Sequence, residues 1–386
     1  MGYLLLSFLT AFSTGILFYP ALIKILKSLD LSEKPGGRKI HKKTTPSMGG
    51  IGFFLATSIS LGIWGWQYPL PDIRYLLGAI ALMFFVGFRD DLVELKAKHK
   101  ILGQLVAVIL VVVAGDIRVR DFHGFMGIGE LPIWFSYGFT AFVLLALTNA
   151  FNLIDGLDGL AATVALITLG LLGSWFYFQG LESYSVLCFT LLGGVLSFLV
   201  FNWHPAKIFM GDTGSLTLGF AMGSLVVAFM DYNSALPEGA LLKFGPSFTM
   251  GIVLLIYPLY DMARVFTRRI RRGQHPMTAD KSHVHHFLMR MGLSHDKVAL
   301  ILGGTQILLI TLVLGMSDLS DNLALPVLSA VVLFMGYRLD KITPKYIKKK
   351  VNGSLKTDQK SAMKSTKKDK VKLEKSIVEP EKINLN

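Results

Sequence analysis

Five acid-bearing segments break an otherwise apolar chain: Phe88-Arg89-Asp90-Asp91, Asn149 to Gly159 (NAFNLIDGLDG), Met210 to Ser215 (MGDTGS), Asp261, and Asp280 to His286 (DKSHVHH). A carboxylate near a hydrocarbon core costs roughly 2.5–3.5 kcal/mol on insertion scales, so acids placed there serve a purpose. Gathered on one face, they would make a polyanionic cluster that needs a cation. The chemistry expected is that of a metal-dependent active site at a membrane surface.

Each segment narrows that chemistry. Asp90 and Asp91 are neighbours at a predicted helix end, where adjacent side chains point about 100° apart. One can meet a metal or a phosphate while the other serves as a base or a supporting group. Asn152, Asp155 and Asp158 recur at i, i+3, i+6, which places them along one face if the helix continues through Gly159. Asp-x-x-Asp-Gly also resembles the opening of the CDP-alcohol phosphatidyltransferase motif, but Leu160-Ala161-Ala162 follows here where that motif has Ala-Arg. Gly211-Asp212-Thr213-Gly214-Ser215 opens an apolar run. Backbone N–H groups at such a helix start attract phosphate, and Asp212 can hold the bridging cation or simply cap the helix. There is no Gly-Lys-Ser/Thr, so this is not a Walker loop.

His283, His285 and His286 lie in a basic loop. With neither a cysteine nor an HExxH pattern beside them, recognition of a diphosphate or sugar by imidazoles fits better than zinc. Arg264, Arg268, Arg269, Arg271 and Arg272 follow on a helical face, where they contact lipid phosphate or substrate phosphate, or only set membrane orientation. Lys34 to Gly50 (KPGGRKIHKKTTPSMGG), which carries Arg38 and His41, is a basic Gly/Pro-rich loop suited to gripping phosphate.

The elements that must position these groups are membrane spans. Of 386 residues, 52% are apolar and 17% charged, a composition outside the range of soluble enzymes and within that of polytopic membrane proteins. The single cysteine, Cys188, sits in an apolar run as a small packing residue, so neither a disulfide nor a cysteine zinc site is available. Hydropathy predicts about eleven spans: Leu4–Leu26, Gly49–Trp66, Tyr75–Phe88, Ile101–Ala114, Ile133–Leu147, Leu160–Phe178, Tyr184–Phe201, Leu216–Phe229, Leu241–Tyr260, Val298–Met316 and Leu323–Tyr337. The third and fourth are short and are expected to tilt or to extend further.

With the N-terminus outside, the outer loops hold three Lys/Arg and the inner loops, tail excluded, hold nineteen. That asymmetry satisfies the positive-inside rule and sends every acidic motif to the cytoplasmic face. The C-terminus is then cytoplasmic as well. The predicted architecture is an all-α polytopic integral membrane protein, with a catalytic body over residues 1–340 and a tail over 341–386. Net charge is +13, of which +9 falls from Arg338 onward. The tail reads as disordered, either contacting anionic lipid headgroups or only solvating the chain. A transporter, with acids relayed at mid-membrane, fits less well because these acids cluster at span ends on one side.

Taken together, PGGRKIHKKTTPSMGG, FRDDLVELKAKHKILGQ, NAFNLIDGLDGLAA, NWHPAKIFMGDTGSLTLG and DKSHVHHFLMRMG resemble, in order, the motifs of the polyprenyl-phosphate N-acetylhexosamine-1-phosphate transferases. That superfamily includes phospho-N-acetylmuramoyl-pentapeptide translocase, and the resemblance runs from about Pro35 to Lys297. Translocases acting on the muramoyl-pentapeptide nucleotide carry three consecutive histidines in the last motif. His283-Val284-His285-His286 is instead similar to the enzymes that use UDP-N-acetylglucosamine for teichoic acid, O-antigen or related polysaccharides.

The resemblance implies transfer of GlcNAc-1-phosphate from UDP-GlcNAc to undecaprenyl phosphate at a bacterial plasma membrane, with release of UMP. UDP-GalNAc, another UDP-HexNAc or UDP-MurNAc-pentapeptide are the alternative donors. It also implies a Mg²⁺ ion, replaceable by Mn²⁺, on Asp212. Asp90 and Asp91 match the family's acidic pair, one of which is proposed to deprotonate the lipid phosphate. Asn152, Asp155 and Asp158 match residues lining the nucleotide and metal site. Lys100 matches a lysine near the diphosphate, and His283, His285 and His286 match the loop that recognises sugar and diphosphate. The partners so implied are a UDP-sugar, a polyprenyl phosphate and the membrane, with a homodimer by analogy and no nucleic acid.

Overall fold

The computed structural model describes residues 2–29, 31–33, 45–122, 124–275 and 282–346. Inside lipid every backbone N–H and C=O must find a partner within the protein, and for apolar runs of this length the helix is the solution. Thirteen helices result: α1 Gly2–Ser28, α2 Gly50–Trp64, α3 Arg74–Leu92, α4 Ala97–Ile109, α5 Ile133–Ile154, α6 Leu160–Phe178, α7 Glu182–Asn202, α8 Gly211–Ala235, α9 Ser247–Leu254, α10 Ile256–Arg271, α11 Val284–Arg290, α12 His295–Leu314 and α13 Asp321–Tyr346. Strand pairing among the described residues is confined to Ser32–Glu33 against Thr45–Pro46 and one bridge, Asp121 to Glu130. Residues 347–386, the rest of the expected tail, lie outside the described residues.

Nine of these helices are long and apolar enough to cross a membrane, and ten spans result if the bent pair α9–α10 counts as one. The protein is therefore a multi-pass membrane protein. The short third and fourth runs extend as expected, to Leu70–Leu92 and Ala97–Ala114. The second span, predicted over Gly49–Trp66, is the 15-residue helix α2 continued directly by a 3₁₀ turn over Gly65–Gln67, and it is not among the nine. One expectation changes.

The ninth span, predicted over Leu241–Tyr260, starts only at Ser247 and bends by 78° between α9 and α10. Pro258 has no N–H to donate to the Leu254 carbonyl, so the helix cannot run straight through. The orphaned carbonyl is satisfied from neighbouring helices: Thr168 Oγ1 donates to it at 2.8 Å and Gln306 Nε2 at 2.9 Å. Lys243 consequently sits in the loop before α9, where its Nζ meets Glu238 at 2.6 Å.

Helix α8 is the axis of the bundle, with 94% of its apolar window buried against α2, α3, α5, α6 and α9. Cys188 is buried on α7, as a packing residue should be. Hydrogen bonds between helix ends define two faces. On one, the Gly50 N–H at the start of α2 donates to Met210 O just before α8, at 2.9 Å. On the other, Trp64 Nε1 at the end of α2 donates to Thr10 Oγ1 of α1 at 2.9 Å, and Asp321 of α13 receives the N–H groups of Phe248 and Thr249 from α9.

Candidate active site

The first face carries the acidic motifs, and their centre is the start of α8. Gly211 adopts φ +72°, a left-handed conformation that lets the chain turn sharply from the loop into the helix. Gly87 of α3 lies against that turn: a Cβ there would stand 2.3 Å from the Asp212 carbonyl oxygen. The backbones of α3 and α8 therefore touch, and the end of α3 is aimed at the start of α8.

Asp91 uses this approach to cap α8. Its Oδ1 accepts the Asp212 N–H at 2.9 Å, while Oδ2 accepts the Thr213 N–H at 2.8 Å and the Thr213 hydroxyl at 2.5 Å. Capping by a carboxylate from another helix satisfies unpaired N–H groups and complements the positive end of the helix dipole. Asp90 points elsewhere, as the angle between adjacent helical positions requires. Its Oδ1 accepts the Leu95 N–H at 2.7 Å, and its Oδ2 lies 2.8 Å from Lys100 Nζ. Lys100 Nζ is also 2.8 Å from Asp212 Oδ2. The Asn152 amide donates to Asp212 Oδ1 and, at 2.7 Å, to Ser215 Oγ. Thus Asp90, Asp91, Lys100, Asn152 and Asp212, drawn from α3, α4, α5 and α8, form one cluster. Among the described residues, two of the three carboxylates there, Asp90 and Asp212, meet the Lys100 ammonium. Carboxylate oxygens around surplus negative charge are the donor set of a hard divalent cation such as Mg²⁺ or Mn²⁺.

Asp158 does not continue the Asn152 face. Helix α5 ends at Ile154, and the chain turns through Gly159 at φ +76°. The Asp155 N–H still bonds Asn152 O at 3.3 Å. Asp158 is swung into a different group, with its Oδ2 2.7 Å from His204 Nδ1 and 3.3 Å from His295 Nδ1, and with the Ala206 N–H at 3.3 Å. The two imidazoles stack with centroids 4.6 Å apart. Asp158 and His295 are buried and His204 stands at the mouth. The three ligand atoms lie within 4.8 Å of one another, close enough to hold an ion. Their N₂O set suits a borderline-soft ion better than Mg²⁺.

The histidine loop forms a third group of polar side chains. Asp261 is fully buried on α10. Its Oδ2 lies 2.6 Å from His283 Nδ1, and its Oδ1 accepts the Val284 N–H at 2.7 Å, which caps α11. This contact fixes the His283 ring and directs its Nε2 away from Asp261. The His283 and His285 rings stack at 5.5 Å, and the His285 and His286 centroids are 4.4 Å apart. Burial, followed by the neighbouring His286, pushes the His285 imidazole down to about 3, so this ring is a neutral hydrogen-bonding group. The loop reaches the nucleotide-type motif: a Cβ on Gly156 would be 3.6 Å from His285 Nε2.

Arg38 and His41 lie outside the described residues. Sequence reasoning missed His204 and His295 and gave Asp261 no role. His204 lies within a motif, but nothing in its spacing connects it to Asp158.

Comparison with known proteins gives a consistent answer. The Glycosyl transferase family 4 profile matches residues 73–230. The chain is 33% identical over 301 residues to a probable undecaprenyl-phosphate N-acetylglucosaminyl 1-phosphate transferase of Bacillus subtilis, covering 78% of this chain and 81% of the relative. It is 30% identical over 295 residues to the undecaprenyl-phosphate alpha-N-acetylglucosaminyl 1-phosphate transferase of Yersinia pestis, covering 75% and 77%. The protein of that name in Escherichia coli K12 is 28% identical over 288 residues, covering 73% and 75%.

Proposed function

Since the chain belongs to glycosyl transferase family 4, the polyprenyl-phosphate HexNAc-1-phosphate transferases, we propose that it transfers GlcNAc-1-phosphate from UDP-GlcNAc to undecaprenyl phosphate. The products are UMP and undecaprenyl-diphospho-GlcNAc, and the reaction opens the assembly of a cell-envelope polysaccharide. The observation that carries this reading is the cluster of Asp90, Lys100, Asn152 and Asp212 at the start of α8.

Phosphoryl transfer asks for charge neutralisation and in-line alignment more than for covalent chemistry. A phosphate oxygen of the lipid attacks the sugar-bearing phosphorus, and the bond from that phosphorus to the oxygen of UMP breaks. The acceptor oxygen is already anionic near neutral pH, so direct attack needs no strong base. Asp90 and Asp212 are the residues that would hold Mg²⁺, which when bound neutralises diphosphate charge and stabilises the leaving UMP. Lys100 keeps the two carboxylates at one place until substrate arrives and then offers its ammonium to the diphosphate. Asn152 orients Asp212. Asp91, with both oxygens engaged by α8, positions Asp212 and is not the base. Asp155 and Asp158 line the nucleotide side, and His283, His285 and His286 meet the sugar and diphosphate. Arg38 and His41 belong to the phosphate-gripping loop.

The polyprenyl chain has a place to lie. A cavity of about 300 Å³ between α5, α8, α9 and α10 is lined almost wholly by carbon, including Phe139, Phe142, Val143, Val226 and Leu255. It reaches Met262, next to Asp261. The 78° bend at Leu255 is what opens the bundle there. We read α2 as a further pass, because its two ends bond to opposite faces, and the charge asymmetry of the loops then supports eleven passes with the N-terminus outside and the site cytoplasmic. Lys243 adds one basic residue to the outer loops and leaves the charge asymmetry intact.

The test is UMP release by purified protein in detergent with Mg²⁺, undecaprenyl phosphate and either UDP-GlcNAc, UDP-GalNAc or UDP-MurNAc-pentapeptide. Release with UDP-GlcNAc, absent without lipid and lowered at least about 10³-fold in Asp212→Asn, is the expected outcome. Release with the muramoyl nucleotide alone would overturn the donor assignment.

A further inference from the structure

Helix α13 follows the last recognisable motif, yet it reaches the histidine loop through one face. Gly336, Asp340 and Thr343 stand at i, i+4 and i+7 on that face. Opposite them on α10 stand Tyr260, Arg264 and Arg268, again one turn apart. At the first level a Cβ on residue 336 would meet Tyr260 Oη, so any larger residue there requires the Tyr260 ring or α13 to shift. At the second level Asp340 takes two guanidiniums at once: Oδ1 is 2.5 Å from Arg264 Nη2 and Oδ2 is 2.5 Å from Arg268 Nη2. At the third, the buried Thr343 hydroxyl lies 3.6 Å from Met291 Sδ, just past α11.

Arg264 is the link to the site. Its side chain is 6% exposed, and its other terminal nitrogen, Nη1, donates to the Ser282 carbonyl at 2.7 Å. Ser282 immediately precedes His283, whose ring is held by Asp261 three residues before Arg264 on the same helix. The guanidiniums of Arg264, Arg268 and Arg290 also lie over the Phe287 ring at 4.5, 4.8 and 5.4 Å. Three like charges around one ring repel one another, and Asp340 supplies the carboxylate that meets two of them. Arg264 and Arg268 are therefore committed to structure, whereas the sequence left them as candidates for phosphate contact.

We infer that Asp340 is a positioning residue: through Arg264 and the Ser282 carbonyl it fixes the backbone that presents His283, His285 and His286 to the sugar nucleotide. Helix α13 is in that sense part of the donor site, although it brings no residue to the substrate. The inference rests on the histidine loop binding the donor, as proposed above.

The experiment compares wild type, Asp340→Asn, Asp340→Glu and Gly336→Val by steady-state UMP release. Asp340→Asn removes the charge at constant volume, and Gly336→Val wedges α13 away from Tyr260 while keeping every charge. Both should raise the KM for UDP-GlcNAc about tenfold, with kcat within about threefold and the KM for undecaprenyl phosphate unchanged. Asp340→Glu should restore most of the loss. A general weakening of the fold would instead lower the active fraction and leave both KM values alone. An active wild type with an unmoved donor KM in Asp340→Asn would overturn the role of α13. A wild type that releases no UMP from UDP-GlcNAc would overturn the donor reading, which separates the two failures. Should Gly336→Val yield little folded protein, Asp340→Asn decides alone.

Discussion

On the face away from the site, Arg118 lies 2.8 Å from Asp116, and Arg120 lies 3.0 Å from both Asp116 and Asp231. Two guanidiniums meet two carboxylates, and the formal charge of the group is zero. At the start of α8, by contrast, Lys100 meets Asp90 and Asp212 while Asp91 meets only the N–H groups and hydroxyl of α8, so the group formed by these described residues carries a formal charge of −2. The N–H groups of α8 ease the charge on Asp91 but cancel none of it. The far group has the greater access to water, with Asp116 53% and Arg120 39% exposed against 6% for Asp90 and 19% for Lys100. One is closed and holds the bundle together; the other is held open at a cost in stability, and a divalent cation would close it. The two faces also use the same capping device. Asp91 caps α8 beside the open group, and Asp321 caps α9 on the far face by accepting the Phe248 N–H at 3.1 Å, the Thr249 N–H at 2.7 Å and the Thr249 hydroxyl at 2.6 Å.

That pair of caps offers the sharpest way to break the comparison. Asp91→Ala and Asp321→Ala should each cost about 1–2 kcal/mol of stability, since each strips the same three donors from a helix start. Only Asp91→Ala should also lower turnover per folded molecule, by about 10²-fold, because a sub-ångström shift of Asp212 misplaces the phosphates. Asp321→Ala should leave turnover within about twofold. Thermal midpoints and UMP release on the same preparations decide it, and equal losses of activity would mean that the far cap is not remote from the chemistry.

A smaller effect concerns the open charge itself. Asp90→Asn reduces the formal charge of the site group from −2 to −1 and should raise the Mg²⁺ concentration for half-maximal activity about tenfold. Asp231→Asn changes the charge of the far group by the same amount and should leave the Mg²⁺ titration where it was. A shift in both titrations would mean that Mg²⁺ responds to net charge and not to this site.

The contrast between faces was visible in the sequence only in part. Asp90, Asp91, Asn152 and Asp212 were legible because each sits at a predicted helix end, and hydropathy with charge asymmetry assigns all those ends to one side. The split between Asp90 and Asp91 was legible as an angle but not as a role, since nothing local tells which of them meets the start of α8. Asp158 was misplaced because the i, i+3, i+6 pattern presumes a continuous helix, and α5 ends at Ile154, before Asp158 is reached. Its partners are His204, in the loop after α7, and His295, the first residue of α12, and no local pattern encodes contacts so distant along the chain. The break at Leu255 was encoded in Pro258, but a hydropathy window averages over a single proline. Asp340 stood among the basic residues that open the tail, where one acid draws no notice without knowing what Arg264 faces.

The smallest prediction concerns a group that belongs to neither kind of charge balance. His285 is buried, and its pKa falls from the ordinary histidine value near 6.5 to about 3 in the folded protein. The unfolded chain therefore takes up a proton as pH falls below about 6.5, whereas the folded chain does not until near 3, so stability drops with pH across that window. Between pH 7.5 and 5.5 this linkage is worth about 1.4 kcal/mol. His285→Gln should flatten the pH dependence of the thermal midpoint over those two units by that amount, whatever its effect on the midpoint at pH 7.5. The acid limb of the activity profile should keep its midpoint in the same variant, because a ring that stays neutral down to about 3 cannot be the group titrating there. An acid limb that moves with His285→Gln would mean that this ring gains a proton during turnover. The histidine loop would then contribute charge to the open site, and the count of −2 would have to be redrawn.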